Sequence, residues 1–401
     1  MVDDDIAEVP IARSIRAFYP LVIVPGMVQV LAPATINSIM KDLGLTEGLG
    51  GLLQLVYFAG VLVGAIMITR LLQRITVKQL LLSQVLLLSV SLLACAVAPV
   101  YWLLLVFYVV TGFANGILVT APGAYVTGMC GEESPRMQSM LYGFLALGIA
   151  IGPILPGLVA RHDIPWRWAL VAPAIMVLPL AVPLILTKLE HMHDIDKLSF
   201  KVLREVISFN RSLFIGLLVG LCLFAAAKSS IAMWLVRFLE SEDGVAPGVA
   251  HLVLIALAVA VTVGRWLSSY VSTKVKPFNL LVFLTLSSAV IVLIAPLPSS
   301  RMGSIIMYPL MGLACAGIYP FLLGYAAWFP DKDSSAVFTS FFAAGAIGGA
   351  LFPYAVGILN QFIDPRFGMA SISFLILGVL ACLYWIKPHV TDGDGGSGGN
   401  Q

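Results

Sequence analysis

The chain has 401 residues, 60% of them hydrophobic and only 11% charged. A soluble protein of this size carries about 25% charged residues, so a water-soluble globule is excluded. The formal net charge of +2 says nothing about an acidic partner such as nucleic acid, which leaves the placement of the few charges as the informative quantity.

A bilayer core about 30 Å thick requires roughly 20 apolar residues per spanning helix. Twelve stretches meet this, at 18–40, 49–72, 79–98, 101–125, 138–160, 165–187, 212–236, 247–272, 278–297, 302–327, 336–360 and 367–387. The first is long and lacks a small-residue cleavage site, so it reads as a span and not a signal peptide. Glycine and proline recur within the stretches, as spanning helices tolerate. An all-α integral membrane protein is therefore expected. With the N-terminus inside, 15 Lys and Arg residues fall in cytoplasmic segments and 6 in outer loops. That bias predicts two cytoplasmic termini, with a bacterial inner membrane as the expected location.

In chain order, the segment after the second stretch runs from Thr69 to Lys78, with Gln73, Arg74 and Lys78 as its polar marks. The fifth stretch holds Gly148, Gly152, Pro153, Pro156 and Gly157, and the sixth opens on Trp166-Arg167-Trp168. The longest internal loop, 188–211, divides the spans six and six. It predicts an N-terminal bundle over 1–187, a cytoplasmic linker over 188–211 and a C-terminal bundle over 212–390. In the linker, Ile195, Leu198, Val202, Val206 and Phe209 have the spacing of a helix lying on the membrane surface with its basic face toward headgroups; a solvated linker is the alternative. The Gly-rich tail 391–401 reads as disordered.

The halves repeat at an offset of 200 residues: Gly64 meets Gly264, Gly112 meets Gly312, Gly148 meets Gly348, Pro153 meets Pro353, Gly157 meets Gly357 and Pro165 meets Pro365. Six spans is an even number, so the repeat is parallel, with the two halves expected to face a central cavity in the manner of transporters. Small residues permit close helix approach, which makes Gly148, Gly152, Pro153 and Gly157, with Gly348, Pro353 and Gly357, the expected packing set for a moving interface. On these features the chain resembles the major facilitator superfamily over nearly its whole length. The resemblance implies twelve transmembrane helices in two parallel-repeat six-helix bundles. In that family the loop after the second helix carries an Asp in a charge-relay latch. Here Gln73 holds that position, which implies a weakened or replaced latch. The helix-4 arginine of proton-coupled members would fall at Tyr108. The helix-5 pattern is close to a signature common in antiporters.

All 21 acidic residues lie outside the twelve stretches, so no membrane carboxylate is present to load and unload a proton. Transport is therefore expected to be uniport or exchange, or to carry its proton on the solute. His251 is the one neutral-pH titratable group near a span and reads as an interfacial histidine, with a role in proton coupling as the alternative. Two cations do lie inside spans, Lys228 and Arg265. A charge at that depth persists where it faces water or a partner, so both are candidate anion ligands, Arg265 by its directional fork and Lys228 as a point charge. Helix-8 arginines do this in the resembling oxalate/formate, monocarboxylate and nitrate porters. The competing readings are a structural arginine bonding helix carbonyls and a lysine snorkelling to the surface.

Uncharged polar residues complete the candidate site: Gln29, Asn37, Gln54, Tyr57, Asn115 and Tyr125 in the first half, and Tyr319, Tyr325 and Tyr354 in the second. Gln29 is singled out because it follows Val28, the repeat partner of Lys228. For each alone a helix–helix hydrogen bond is the favoured reading, with about a third of them expected to touch the solute. His191, His193 and Asp196 fit no strong metal spacing, the five cysteines form no ligand pattern, and no cofactor is implied. The expected function is secondary active or facilitative transport of a small anionic or zwitterionic organic solute by alternating access. Its partners would be the small-molecule substrate and membrane lipid, with no nucleic acid, and the chain is expected to act as a monomer. An efflux antiporter for drugs or siderophores and a non-transporting receptor are the alternatives. No nucleophile-and-base set supports an enzyme.

Overall fold

In lipid every backbone N–H and C=O must be satisfied within the protein, so apolar stretches of this length become helices. The computed structural model describes residues 16–129, 134–187, 189, 209–297, 301–325 and 334–391, and all regular structure among them is helical. Twelve helices are long and apolar enough to cross a membrane: α1 Phe18–Leu43, α2 Glu47–Ile68, α3 Val77–Val97, α4 Tyr101–Val126, α5 Met140–Arg161, α6 Arg167–Leu186, α7 Arg211–Ser241, α8 Pro247–Ser272, α9 Pro277–Ile294, α10 Met302–Gly324, α11 Ser340–Phe362 and α12 Pro365–Pro388. The chain is an all-α, multi-pass integral membrane protein. The linker residues 190–208, with His191, His193 and Asp196, and the tail from 392 lie outside the described residues.

Proline sets the interruptions. It has no N–H to give the carbonyl four residues back. Thus α1 breaks at Val22 and Val30, next to the carbonyls that Pro25 and Pro33 leave unserved. By the same rule α5 breaks at Gly152–Pro153 ahead of Pro156, and α10 at Ala316–Gly317 ahead of Pro320. The helices also outrun the apolar stretches. Asp42 belongs to the last turn of α1, Glu47 opens α2, and Glu240 lies in the last turn of α7. The expectation that every acid stands outside the spans is corrected to this extent: hydropathy falls at the headgroup level while the backbone hydrogen bonds continue.

The described residues form two compact units. One holds α1 to α6 together with Ala246–Ile255, and the other holds α7 through Val245 and the chain from Ala256 onward. The same local solutions recur in each. α1 is capped by Gly44, and Gly244 follows three residues after the end of α7; both are left-handed, at φ 62° and 61°. A following amide returns to the last turn in each, Leu45 N to Met40 O at 2.9 Å and Val245 N to Leu239 O at 2.8 Å. Glycine adopts this φ without the clash a Cβ would bring. Close helix contacts recur at the 200-residue offset too. A Cβ on Gly64 would meet the carbonyl of Phe113, and one on Gly264 that of Leu313; Gly112 lies against the carbonyl of Tyr57, and Gly312 against that of Leu257.

A repeated ion-pair clamp closes one end of each unit. Arg167 at the start of α6 pairs with Asp42 at 2.6 Å and reaches Ala98 O at 3.4 Å, while Trp166 Nε1 donates to the same carboxylate at 3.0 Å. Arg366 at the start of α12 pairs with Asp243 at 3.1 Å and donates to Pro296 O at 2.9 Å and Glu242 O at 3.1 Å.

The packing set behaves as close contact requires. Gly148 lies against the carbonyl of Ile23 in α1, Gly152 against Val30, and Gly348 against the carbonyl of Cys222 in α7. Trp234 Nε1 donates to Pro353 O at 2.8 Å, tying α7 to α11. Gly143, five residues before Gly148, has open space where its Cβ would be. Gly148→Ala should therefore lose about 1–3 kcal/mol through overpacking against backbone. Gly143→Ala should be neutral or gain up to about 1 kcal/mol from helix propensity. Thermal unfolding of both variants in detergent measures the difference, and equal melting would show that the Gly148 contact yields freely.

Candidate functional site

The second unit gathers the membrane cations. Phe224 and Lys228 share a face of α7, four residues apart. Lys228 is exposed although Ala226 and Ala227 beside it are buried. Arg265 on α8 is likewise exposed. The two cations act on each other electrostatically, and both act on the Cys315 thiol of α10. Arg265 also acts on the Tyr319 hydroxyl. The Tyr319 ring, half-buried, lies 6.4 Å from that of Phe224. Among the described residues neither the Lys228 ammonium nor the Arg265 guanidinium has a hydrogen-bond or ion-pair partner.

The proline-linked break in α10 falls at Ala316–Gly317, between Cys315 and Tyr319. Gly264, next to Arg265, packs against Ala316 and the Leu313 carbonyl, and Gly317 packs against Ser268. Small residues thus bring α8 and α10 together where Arg265 and Tyr319 meet. Of the residues singled out from sequence, Lys228, Arg265 and Tyr319 come together. Cys315 and Phe224 were not singled out, although each stands four residues before one that was, the interval that places side chains on one helix face. Tyr325 is buried near the end of α10, and Tyr354 is half-buried on α11.

In the first unit the polar residues bond one another. Asn115 Nδ2 of α4 donates to the Tyr57 hydroxyl of α2 at 2.7 Å, with both side chains buried. Gln54, one turn before Tyr57, is buried, as is Tyr108, whose ring lies 5.9 Å from that of Tyr57. Gln54 Oε1, Asn115 Oδ1 and the Tyr108 hydroxyl lack partners among the described residues. This seam joins α2 to α4. Tyr125 is buried edge-on to Phe18, at 5.4 Å and 83°. Gln29 is half-buried beside the Val30 break, and Asn37 is half-buried further along α1.

His251 is buried in the first turns of α8. It is 3% exposed, with Nδ1 2.7 Å from Pro247 O and Nε2 2.8 Å from Ala34 O of α1. Its ring packs where a Cβ of Gly157 in α5 would stand. The proline that opens α8 and the glycine in α5 create the space it fills. Among the described residues no three His, Cys, Asp or Glu side chains form a metal-binding group.

The loop after α2 has a structural role. Gln73 and Arg74 are exposed. Thr76 and Gln79 cap the start of α3 reciprocally, at 3.2 and 3.0 Å. Lys78 Nζ donates to Ile185 O at 2.6 Å and Thr187 O at 2.9 Å, which serves carbonyls that the end of α6 leaves open.

Twelve apolar helices in two units with repeated internal contacts define a polytopic membrane protein. Residues 21–327 match the family model described as Major Facilitator Superfamily, and the chain belongs to that superfamily. It is 24% identical over 372 residues to a gentisate transporter of Corynebacterium glutamicum, covering 86% of this chain and 82% of that one. It is 27% identical over 172 residues to an uncharacterised MFS-type transporter of Yersinia pestis, covering 42% of this chain and 44% of that one. Its fold is similar to that of a bacterial homologue of the human lysosomal transporter Spinster, in an inward-facing and occupied conformation. The TM-score is 0.79 at 14% identity, covering 93% of this chain and 96% of that one. A D-xylose–proton symporter matches with TM-score 0.75 at 15% identity, covering 94% and 97%. These relatives are transporters, and the chain is not an enzyme.

Lys78→Met should fray the end of α6, because charge-assisted hydrogen bonds are worth about 1.5–3 kcal/mol when sheltered and less at a wet surface. Faster amide exchange across 182–187 than in wild type is the expected result, with Arg74→Met as an unaffected control. Unchanged exchange would remove Lys78 from the capping role.

Proposed function

We propose that this protein transports a small organic anion, using Lys228 and Arg265 to hold the solute's negative group and Tyr319 to contact its body. The observation that carries the reading is the pair of membrane cations, mutually repelling and without a protein partner. An unpaired charge deep in a span is costly unless water or a counter-ion offsets it. A carboxylate satisfies the guanidinium fork through two parallel hydrogen bonds, while the ammonium adds a point charge. The gentisate transporter supports the same chemistry, since gentisate is a hydroxylated benzoate. Alternating access with both termini cytoplasmic, in a bacterial inner membrane, accords with the parallel repeat and the basic bias of one side.

Arg265→Ala and Lys228→Ala should each weaken binding of a carboxylate solute by about 2–5 kcal/mol, or about 30-fold to several thousand-fold in Kd. Arg265→Lys should restore little, because the fork is lost. Calorimetric titration of the purified protein with a panel of carboxylates, gentisate included, reads the effect. Melting in detergent should stay near wild type, since no partner is orphaned. If Arg265→Ala unfolds the chain, the arginine is structural. If both alanine variants bind the panel as wild type does, the solute is neutral or cationic.

A further inference from the structure

The anion site makes no use of His251, yet its geometry is demanding. Both ring nitrogens face carbonyl oxygens, Pro247 O at 2.7 Å and Ala34 O at 2.8 Å, in a side chain 3% exposed. A carbonyl oxygen only accepts. A neutral imidazole has one N–H, so it donates to one carbonyl and turns a lone pair toward the other. Only the doubly protonated ring donates to both. Histidine is also the side chain whose ordinary charge change lies near neutral pH.

We propose that His251 is a proton-binding clasp. Doubly protonated, it holds the first turns of α8 to α1 through Ala34 and seats against Gly157 of α5; when it loses a proton, one carbonyl contact is released. The choice of which contact yields follows from geometry. Pro247 is four residues back on the same helix, so that contact is local and stays in reach of the ring. Ala34 lies on another helix, and only that distance can grow. Release therefore parts α8 from α1.

Few charges surround this contact. On α5 the aliphatic stem of Arg161 lies against Gly248, one turn before His251, followed by His162 and Asp163 at the helix end. On α1 the nearest ionisable residues are Lys41 and Asp42, two turns past Ala34, with Asp42 held by Arg167. On α8 the next is Arg265. Arg265 lies fourteen residues beyond His251 on α8, about 21 Å of helix rise.

The test uses the full chain in lipid nanodiscs, with nitroxides at Lys41→Cys and Ala246→Cys, both exposed positions, and the native cysteines replaced. Pulsed electron–electron distances are recorded from about pH 5 to about pH 8, the interval over which imidazole changes charge. The expected result is one short distance at the acid end, joined by a longer population as pH rises. In His251→Gln the distance distribution should be independent of pH. A wild-type distribution that does not respond to pH, or a response of equal size in His251→Gln, overturns the proposal. Histidine-selective nitrogen NMR gives the second reading, with the His251 resonance identified by its loss in the variant. It should report two protonated nitrogens at the acid end and one at the alkaline end, with the same midpoint as the distance change. A neutral ring throughout overturns the proposal even if the variant folds poorly.

Discussion

A backbone in hydrocarbon has no water to bond with, and that constraint governs the rest of this structure. It makes every span a helix, and it confines each interruption to a place where other protein covers the freed groups. The breaks at Val22, Val30, Gly152 and Ala316 accordingly coincide with close packing. Gly152 meets Val30, and Ala316 meets Gly264. Proline opens a carbonyl, and a small neighbour lets another helix approach closely enough to shelter it. The bends that result shape the walls on which the polar side chains stand.

The same constraint separates two kinds of buried or recessed cation. Arg167 and Arg366 sit at helix starts, each with a carboxylate and a backbone carbonyl, and each against an aromatic ring, Trp166 at 4.6 Å and Phe238 at 5.6 Å. They are satisfied groups that fasten helix ends. Among the described residues Lys228 and Arg265 have none of this, and both are exposed. A protein selected for stability alone would replace them with apolar residues. Their retention is the physical basis for assigning them to a solute and the other pair to the scaffold.

Much of the fold was legible in the sequence because it rests on composition and on glycine and proline positions. Twelve apolar runs and an offset of 200 residues predicted the helices and the repeat, and the structure places Gly64 and Gly264, and Gly112 and Gly312, against equivalent carbonyls. The helix ends were less legible. Asp42, Glu47 and Glu240 fall where hydropathy has already dropped while the helical hydrogen bonds continue. Lys228 and Arg265 were visible as charges in apolar runs, but that they meet beside Cys315 depends on the bend in α10, which only the interval back from Pro320 hints at. That Tyr57 and Asn115 bond each other was not legible, because a single sequence does not show which polar groups face each other across two helices. The His251 contacts were hidden for a related reason: its partners are backbone oxygens, and a carbonyl leaves no mark in residue identity.

The two ion-pair clamps differ in one respect. The Asp42 side chain is 46% exposed and that of Asp243 only 3%. Dissolved ions screen exposed charges over about 8–10 Å at physiological ionic strength and reach sheltered pairs much less. The fastening of one half thus depends more on the surrounding electrolyte than that of the other. In a medium of changing salinity the two halves would stiffen and loosen on different schedules.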